Sequence, residues 1–257
     1  DYLADNGIRV EIDERAEKLG YRVREAQVKK IPYLIVLGKN EAAEGTVSYR
    51  LHGEQKSTTV SKDEFVAMLK DEIADQLVYA TVKISSKNDL KSWSGTGFFM
   101  TRPYADKANV IKMVTNRHVM EHAKMADITL TRANPDGTPN NTEHVTLHFD
   151  GVQTFCQYHS DPAIDVCVVD IQEGLKALEA EGIMAYFKCI STNMIVTDSG
   201  LESLTPIEDV IMIGYPNAIS DTTNNRPVVR SGITATDLKL NYNGKFEFMI
   251  DMACFPG

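Results

Sequence analysis

The sequence predicts two unlike parts in series: an α/β module with a mixed sheet over residues 1–74, and an all-β part over residues 75–257. Three observations carry this expectation. Residues 14–30 set Ala16, Leu19, Val23 and Ala26 at helical spacing, and a continuous apolar run follows at residues 31–38, the pattern of a helix feeding a covered strand. From Gln76 onward, helical spacing gives way to short apolar stretches separated by turn residues. The change falls at residues 74–77, with no linker rich in Pro, Gly or Ser.

Within the first part, Ile8-Arg9-Val10-Glu11-Ile12 alternates like a half-buried strand and, with the helix and the run behind it, makes a β-α-β unit. Residues 46–51 and 56–60 flank His52-Gly53-Glu54-Gln55 and read as a hairpin. Ser61, with Glu64 three residues on, forms a capping box. Phe65, Val66, Leu69 and Ile73 give the helix behind it an apolar face that ends near Ala74.

Several of these stretches resemble one family. Gly7-Ile8-Arg9-Val10-Glu11-Ile12-Asp13, residues 17–26, Lys30-Ile31-Pro32-Tyr33, Gly38-Lys39-Asn40-Glu41 and Gly45-Thr46-Val47-Ser48-Tyr49-Arg50 are similar to the C-terminal anticodon-binding domain of threonyl-tRNA synthetases. The resemblance implies a tRNA-binding module in which Glu41 and Arg50 contact anticodon bases and Lys30 lies near the RNA. The chemistry is consistent, since Glu accepts from a base amine while Arg donates a two-pronged fork to a base edge. Without the resemblance, Glu41 and Arg50 would read as solvated hairpin residues. The chain departs from the family at Ala16, where an asparagine used in recognition is usual, and the family's first strand would precede Asp1.

In the second part, strands are expected over residues 77–85, 95–101, 110–115, 128–132, 144–149 and 164–171, enough for a first barrel. Residues 175–186 read as a linker with a short helix, and residues 210–214, 227–235 and 246–251 as about half of a second barrel. Gly95 and Gly97 suit a strand whose backbone passes close to another element. His118 stands behind an apolar run that ends at Val114 and opens a short polar turn, so its backbone is braced while its ring can reach a cleft. Asp165 heads the run Val166-Cys167-Val168-Val169. A desolvated carboxylate there needs a partner, and an imidazole N–H is the natural one. His144 and His148 alternate with Val145, Leu147 and Phe149 and should face solvent.

A second resemblance emerges from these residues. Gly95-Thr96-Gly97-Phe98, Thr115-Asn116-Arg117-His118-Val119, Asp165-Val166-Cys167-Val168 and Gly214-Tyr215-Pro216 occur in the order seen in bacterial trypsin-like serine peptidases of the chymotrypsin fold. Residues 251–257 look like the approach to that family's Gly-x-Ser-Gly loop. The resemblance covers roughly residues 77–257 and implies an all-β, chymotrypsin-like double barrel, its second barrel incomplete, and an endopeptidase acting on a peptide or protein substrate. His118 would be its general base, Asp165 the residue that orients the base, and Gly257 the first oxyanion-hole amide. The family's nucleophilic serine lies two places beyond the glycine matched by Gly257, so an inactive peptidase is expected. The alternatives are a tRNA-binding module whose second half is passive and a non-catalytic, peptidase-like binding domain. Two unrelated families meeting at residues 74–77 suggest a chimera or fusion.

Composition narrows the partners. At 43% hydrophobic and 25% charged, the chain resembles an ordinary soluble globular protein. No run approaches the roughly 20 apolar residues of a membrane span, and residues 1–5 do not read as a signal peptide, so a cytoplasmic setting is expected. The net charge of −9 divides into −3 for residues 1–75 and −6 for the remainder, which excludes nonspecific nucleic-acid binding through bulk basic charge. Cys156, Cys167, Cys189 and Cys254 form no Cys-x-x-Cys pair and read as buried free thiols. His118 and His122 share helical spacing, but Glu121 is misplaced for a zinc-protease motif. Neither a metal nor a cofactor is expected.

Overall fold

The computed structural model describes residues 2–8, 10–29, 31–104, 107–216 and 219–254, in two compact units, Asp1–Ala74 and Asp75–Gly257. In the first unit, α1 (Tyr2–Asp5) and α2 (Leu19–Val28) precede an antiparallel sheet of β1 (Tyr33–Val36), β2 (Thr46–Leu51) and β3 (Thr58–Ser61), in that order. α3 (Lys39–Glu44) joins β1 to β2, and α4 (Lys62–Ala80) follows β3. Val47, Phe65 and Leu69 form the buried centre, with the Phe65 ring 4.9 Å from that of Tyr49 and 6.0 Å from that of Tyr33.

Three expectations for this unit are corrected. Residues 10–12 make no strand, so the sheet is antiparallel rather than mixed and β1 is its edge, half-buried at every position. An alternating stretch becomes a strand only when a second backbone satisfies its N–H and C=O groups. These residues find none, and Ile12 stays 64% exposed. α2 starts at Leu19 rather than residue 14, because Arg15 binds Asp13 and Glu25 and Arg22 donates to the Asp13 carbonyl at 2.6 Å, holding the lead-in as a bend. The Ser61–Glu64 box forms, with the Glu64 amide 3.2 Å from Ser61 Oγ and the Ser61 amide 3.0 Å from Glu64 Oε2. Its helix runs past Ala74 to Ala80, since Tyr79 and Ala80 are themselves buried.

The second unit is rich in antiparallel sheet. β4 (Thr81–Lys87), β5 (Ser92–Tyr104), β6 (Lys107–Thr115), β7 (Met125–Ala133), β8 (Pro139–Asp150), β9 (Cys156–Tyr158), β10 (Cys167–Asp170) and β11 (Ala185–Tyr186) pair in the order β11-β7-β4-β5-β6-β10-β9. β8 adds to β7, and the short β12 (Ile190–Ser191) runs parallel to β5. Alternation along the strands drives Ile84, Phe99, Met113, Ile128, Leu147 and Val169 into one core. α5 (Arg117–Met120) follows β6, α6 (Gln172–Ala180) follows β10, and α7 (Asp198–Glu202) precedes a separate antiparallel sheet of β13 (Asp209–Gly214), β14 (Val228–Thr234) and β15 (Ile250–Asp251).

The expected double barrel is not found: among the described residues, neither sheet closes on itself. β8 has no ladder to β9 or β10, because the turn at Val152–Phe155 carries the chain away and α6 packs over β8. There a Cβ at Gly174 would come within 3.3 Å of Leu147. The smaller sheet depends on another glycine, since a Cβ at Gly232 of β14 would fall 2.2 Å from the Asp251 carbonyl of β15. Its two faces differ. Met212, Val228 and Arg230 line a groove, whereas Ile211, Val229 and Ile233 are exposed.

Candidate functional site

Lys30, expected near RNA, lies outside the described residues. In the first unit β2 projects Val47 and Tyr49 into the core and therefore Ser48 and Arg50 onto the opposite face. Glu41, in the first turn of α3, reaches the same face. Its Oε1 accepts from the Ser48 hydroxyl at 2.9 Å and its Oε2 from the Gly38 amide at 2.9 Å. Its own amide, the Ser48 hydroxyl and the Gly38 amide hold the carboxyl below the usual carboxylate range. Glu41 thus caps the helix that carries it. Arg50 is less engaged: Nη2 reaches Ser57 Oγ at 3.4 Å, and Nε is buried without a hydrogen-bond partner among the described residues.

In the second unit, β6 pairs with β10 so that Thr115 faces Cys167. The residues just beyond that pair, His118 on α5 and Asp165 in the preceding loop, then stand side by side. His118 Nδ1 lies 2.6 Å from Asp165 Oδ2, and the His118 amide donates to Asp165 Oδ1 at 2.9 Å. A carboxylate at Nδ1 fixes the proton there and leaves the Nε2 lone pair to act as a base. Desolvation opposes ionisation of Asp165, but the bonds from the His118 amide and ring outweigh it, and the carboxyl is held below its usual range. The His118 side chain is 66% exposed and that of Asp165 47%.

The surroundings fix α5. Trp93 Nε1 donates to the Val119 carbonyl at 3.0 Å, Gln153 Nε2 caps the carbonyls of Met120 and Ala123, and Gly95 leaves room for Val119, which a Cβ would meet at 2.5 Å. Beside His118 runs a groove of about 470 Å³, walled on one side by Gly95 and Thr96 and on the other by Met212 and Tyr215. Thr96 ties the two walls, accepting from the Tyr215 amide at 2.9 Å. Among the described residues no serine or cysteine side chain hydrogen-bonds to His118. Gly257, expected to supply an oxyanion amide, lies outside the described residues.

Sequence reasoning singled out His118 but assigned no part to its neighbours. Asn116 Nδ2 donates to both the carbonyl and the carboxylate of Asp165, each at 3.1 Å, and Arg117 holds the His159 carbonyl at 2.6 Å with its guanidinium over the Tyr158 ring. Both lie inside the Thr115–Val119 motif. The polar pair Asn116-Arg117 between two apolar stretches was the available signal. The cysteines are free thiols, but only Cys167 is buried, Cys254 is exposed, and burial raises the Cys189 thiol to about 11. His148 faces solvent and pairs with Asp127 at 2.8 Å, whereas His144 is half-buried, with Nε2 3.1 Å from the Thr223 carbonyl. Among the described residues, no group of three His, Cys, Asp or Glu side chains could hold a metal, and no helix is long and apolar enough to cross a membrane.

Comparison with known proteins separates the two units. Residues 1–72 match a family model described as an anticodon binding domain. The first 72 residues are therefore a domain of that class, an α/β module. Among similar proteins, the threonine–tRNA ligase of Geobacillus sp. (strain WCH70) is 56% identical over 71 residues, 28% of this chain and 11% of that protein. Threonine–tRNA ligase 1 of Bacillus subtilis (strain 168) is 58% identical over 64 residues, 25% of this chain and 10% of that protein. The chain thus spans about a tenth of the length of these relatives. The matches show no peptidase segment, and the reading of the second unit rests on its geometry.

Proposed function

We propose that residues 1–72 bind the anticodon arm of a tRNA, threonine tRNA in preference to others, as a module of the kind found in threonyl-tRNA synthetases. The observation that carries this reading is the family match over residues 1–72, with identities above one half to proteins named threonine–tRNA ligase. Arg50 supplies the base-reading fork, helped by donors that the fold leaves under-used, and Lys30 supplies a local positive charge. Glu41 acts through the helix it caps and presents whichever acceptor edge the Ser48 hydroxyl releases. The test is a gel shift with the whole chain. Threonine tRNA should be retained over unrelated tRNAs, and Arg50→Ala should weaken it by about 1–3 kcal/mol, the value of one bidentate base contact. Equal retention of all tRNAs would sink the reading.

A second reading, for the second unit, is favoured by the 2.6 Å contact between His118 and Asp165 at the rim of a groove. In that reading the pair is the base and orienter of a serine-peptidase-like site. Asp165 holds the Nδ1 proton, and His118 Nε2 takes the proton of an attacking hydroxyl and returns it to the leaving group. No serine within the described residues is hydrogen-bonded to the ring, so a fluorophosphonate probe should label this chain no faster than a free serine. Rapid labelling of Ser94, which lines the same groove, would contradict the assignment.

A further inference from the structure

Asn116 occupies the N-cap of α5, where an asparagine ordinarily turns its side-chain oxygen back onto the first free amides of its own helix. Here it does not: the Asn116 side chain makes no cap bond, and the His118 amide, at the second helical position, is taken by Asp165 Oδ1 at 2.9 Å instead. The cap comes from a loop distant in sequence rather than from the N-cap residue. The freed amide of Asn116 turns to Asp165 instead, its Nδ2 3.1 Å from the Asp165 carbonyl and 3.1 Å from Asp165 Oδ2, the oxygen that also meets His118 Nδ1. Both targets are acceptors, so the NH2 group and not the carbonyl must face them. Asp165 lies in the irregular stretch between β9 and β10, and among the described residues every donor to its carboxylate belongs to Asn116 or His118.

We infer that Asn116 is the positioning residue of this site, one amide that fixes both the backbone and the carboxylate rotamer of Asp165 and so keeps the acceptor in line with the imidazole. The inference rests on the reading of His118 and Asp165 as base and orienter. It adds a residue that acts on the imidazole through Asp165 rather than by a bond of its own to the ring. Without Asn116 the carboxylate would be held only by His118, the side chain it is meant to orient, and the Asp165 carbonyl would lose its tie to the start of α5, so the tautomer would be less firmly fixed.

The test is NMR of the whole chain with 15N-labelled histidine, reading the His118 tautomer and the exchange of its Nδ1 proton with water. In the parent protein the Nδ1–H form should dominate. Asn116→Ala should speed exchange by about tenfold or more, the loss expected for a charge-assisted hydrogen bond, and should mix the tautomers. Asn116→Leu keeps the bulk of the side chain, has no donor and adds no charge beside Asp165, so a space-filling role would survive it and a positioning role would not. If either variant left both signals as in the parent while Asp165→Asn changed them, the part assigned to Asn116 would be wrong and the His118–Asp165 pair would stand. If Asp165→Asn changed nothing, the pair itself would be wrong.

Discussion

At the scale of single residues, the second unit concentrates its constraints around α5. Gly95 shows how tight they are. An alanine there would drive its methyl to 2.5 Å from one Val119 methyl and 2.7 Å from the other, on the element that carries His118. Gly95→Ala should cost about 1–3 kcal/mol in denaturant unfolding, and combining it with Val119→Ala should cost less than the sum of the two. Asp165 adds a dependence on pH whose sign follows from its environment. Its carboxyl is held down in the fold by the His118 amide and ring, so ionised Asp165 favours the native state. That contribution is complete above the unfolded value of about 3.9 and is lost as pH falls through the lower folded value. The unfolding midpoints of the parent and Asp165→Asn should therefore differ at neutral pH and converge below about pH 4. The sequence made the partnership of His118 and Asp165 legible, because a carboxylate at the head of an apolar run must find a donor. Asn116 stayed hidden: at the start of a helix an asparagine reads as its own cap, and only in the folded chain does it give that cap away.

At the scale of elements, local signals were readable and pairings were not. The Ser61–Glu64 box, the hairpin of β2 and β3 and the start of α4 depend on residues a few positions apart and appear where expected, whereas α4 overruns its expected end at Ala74 and leaves Ile73 exposed. Alternation at residues 8–12 carries no information about a partner, and residues 10–12 form no strand. The same ignorance explains the open second unit, since six strand-like stretches do not say whether the last will meet the fifth. Within the first unit the weight falls on Phe65, wholly buried between Tyr33 and Tyr49. Phe65→Ala should lose about 3–5 kcal/mol by calorimetry or denaturant titration. A small loss would mean that α4 is not what holds that sheet.

At the scale of the whole molecule, the charge balance bears on how RNA could be held. With a net charge of −9, the chain has no field to draw a polyanion toward it, so affinity must come from a few donors on one sheet face. Two or three neutralised phosphates give a slope of about −2 or shallower for log affinity against log salt, measurable by fluorescence anisotropy. A slope several times steeper would reveal a basic surface that neither composition nor the described residues provide.

The smaller sheet has a consequence of its own. Ile211, Val229 and Ile233 stand in water on the side turned away from His118, so one flank of β13 and β14 is wetted oil. Such a flank is adhesive: the purified chain should cling to phenyl resin and scatter more light as it is concentrated, and both habits should fade when Ile211 and Val229 become lysine.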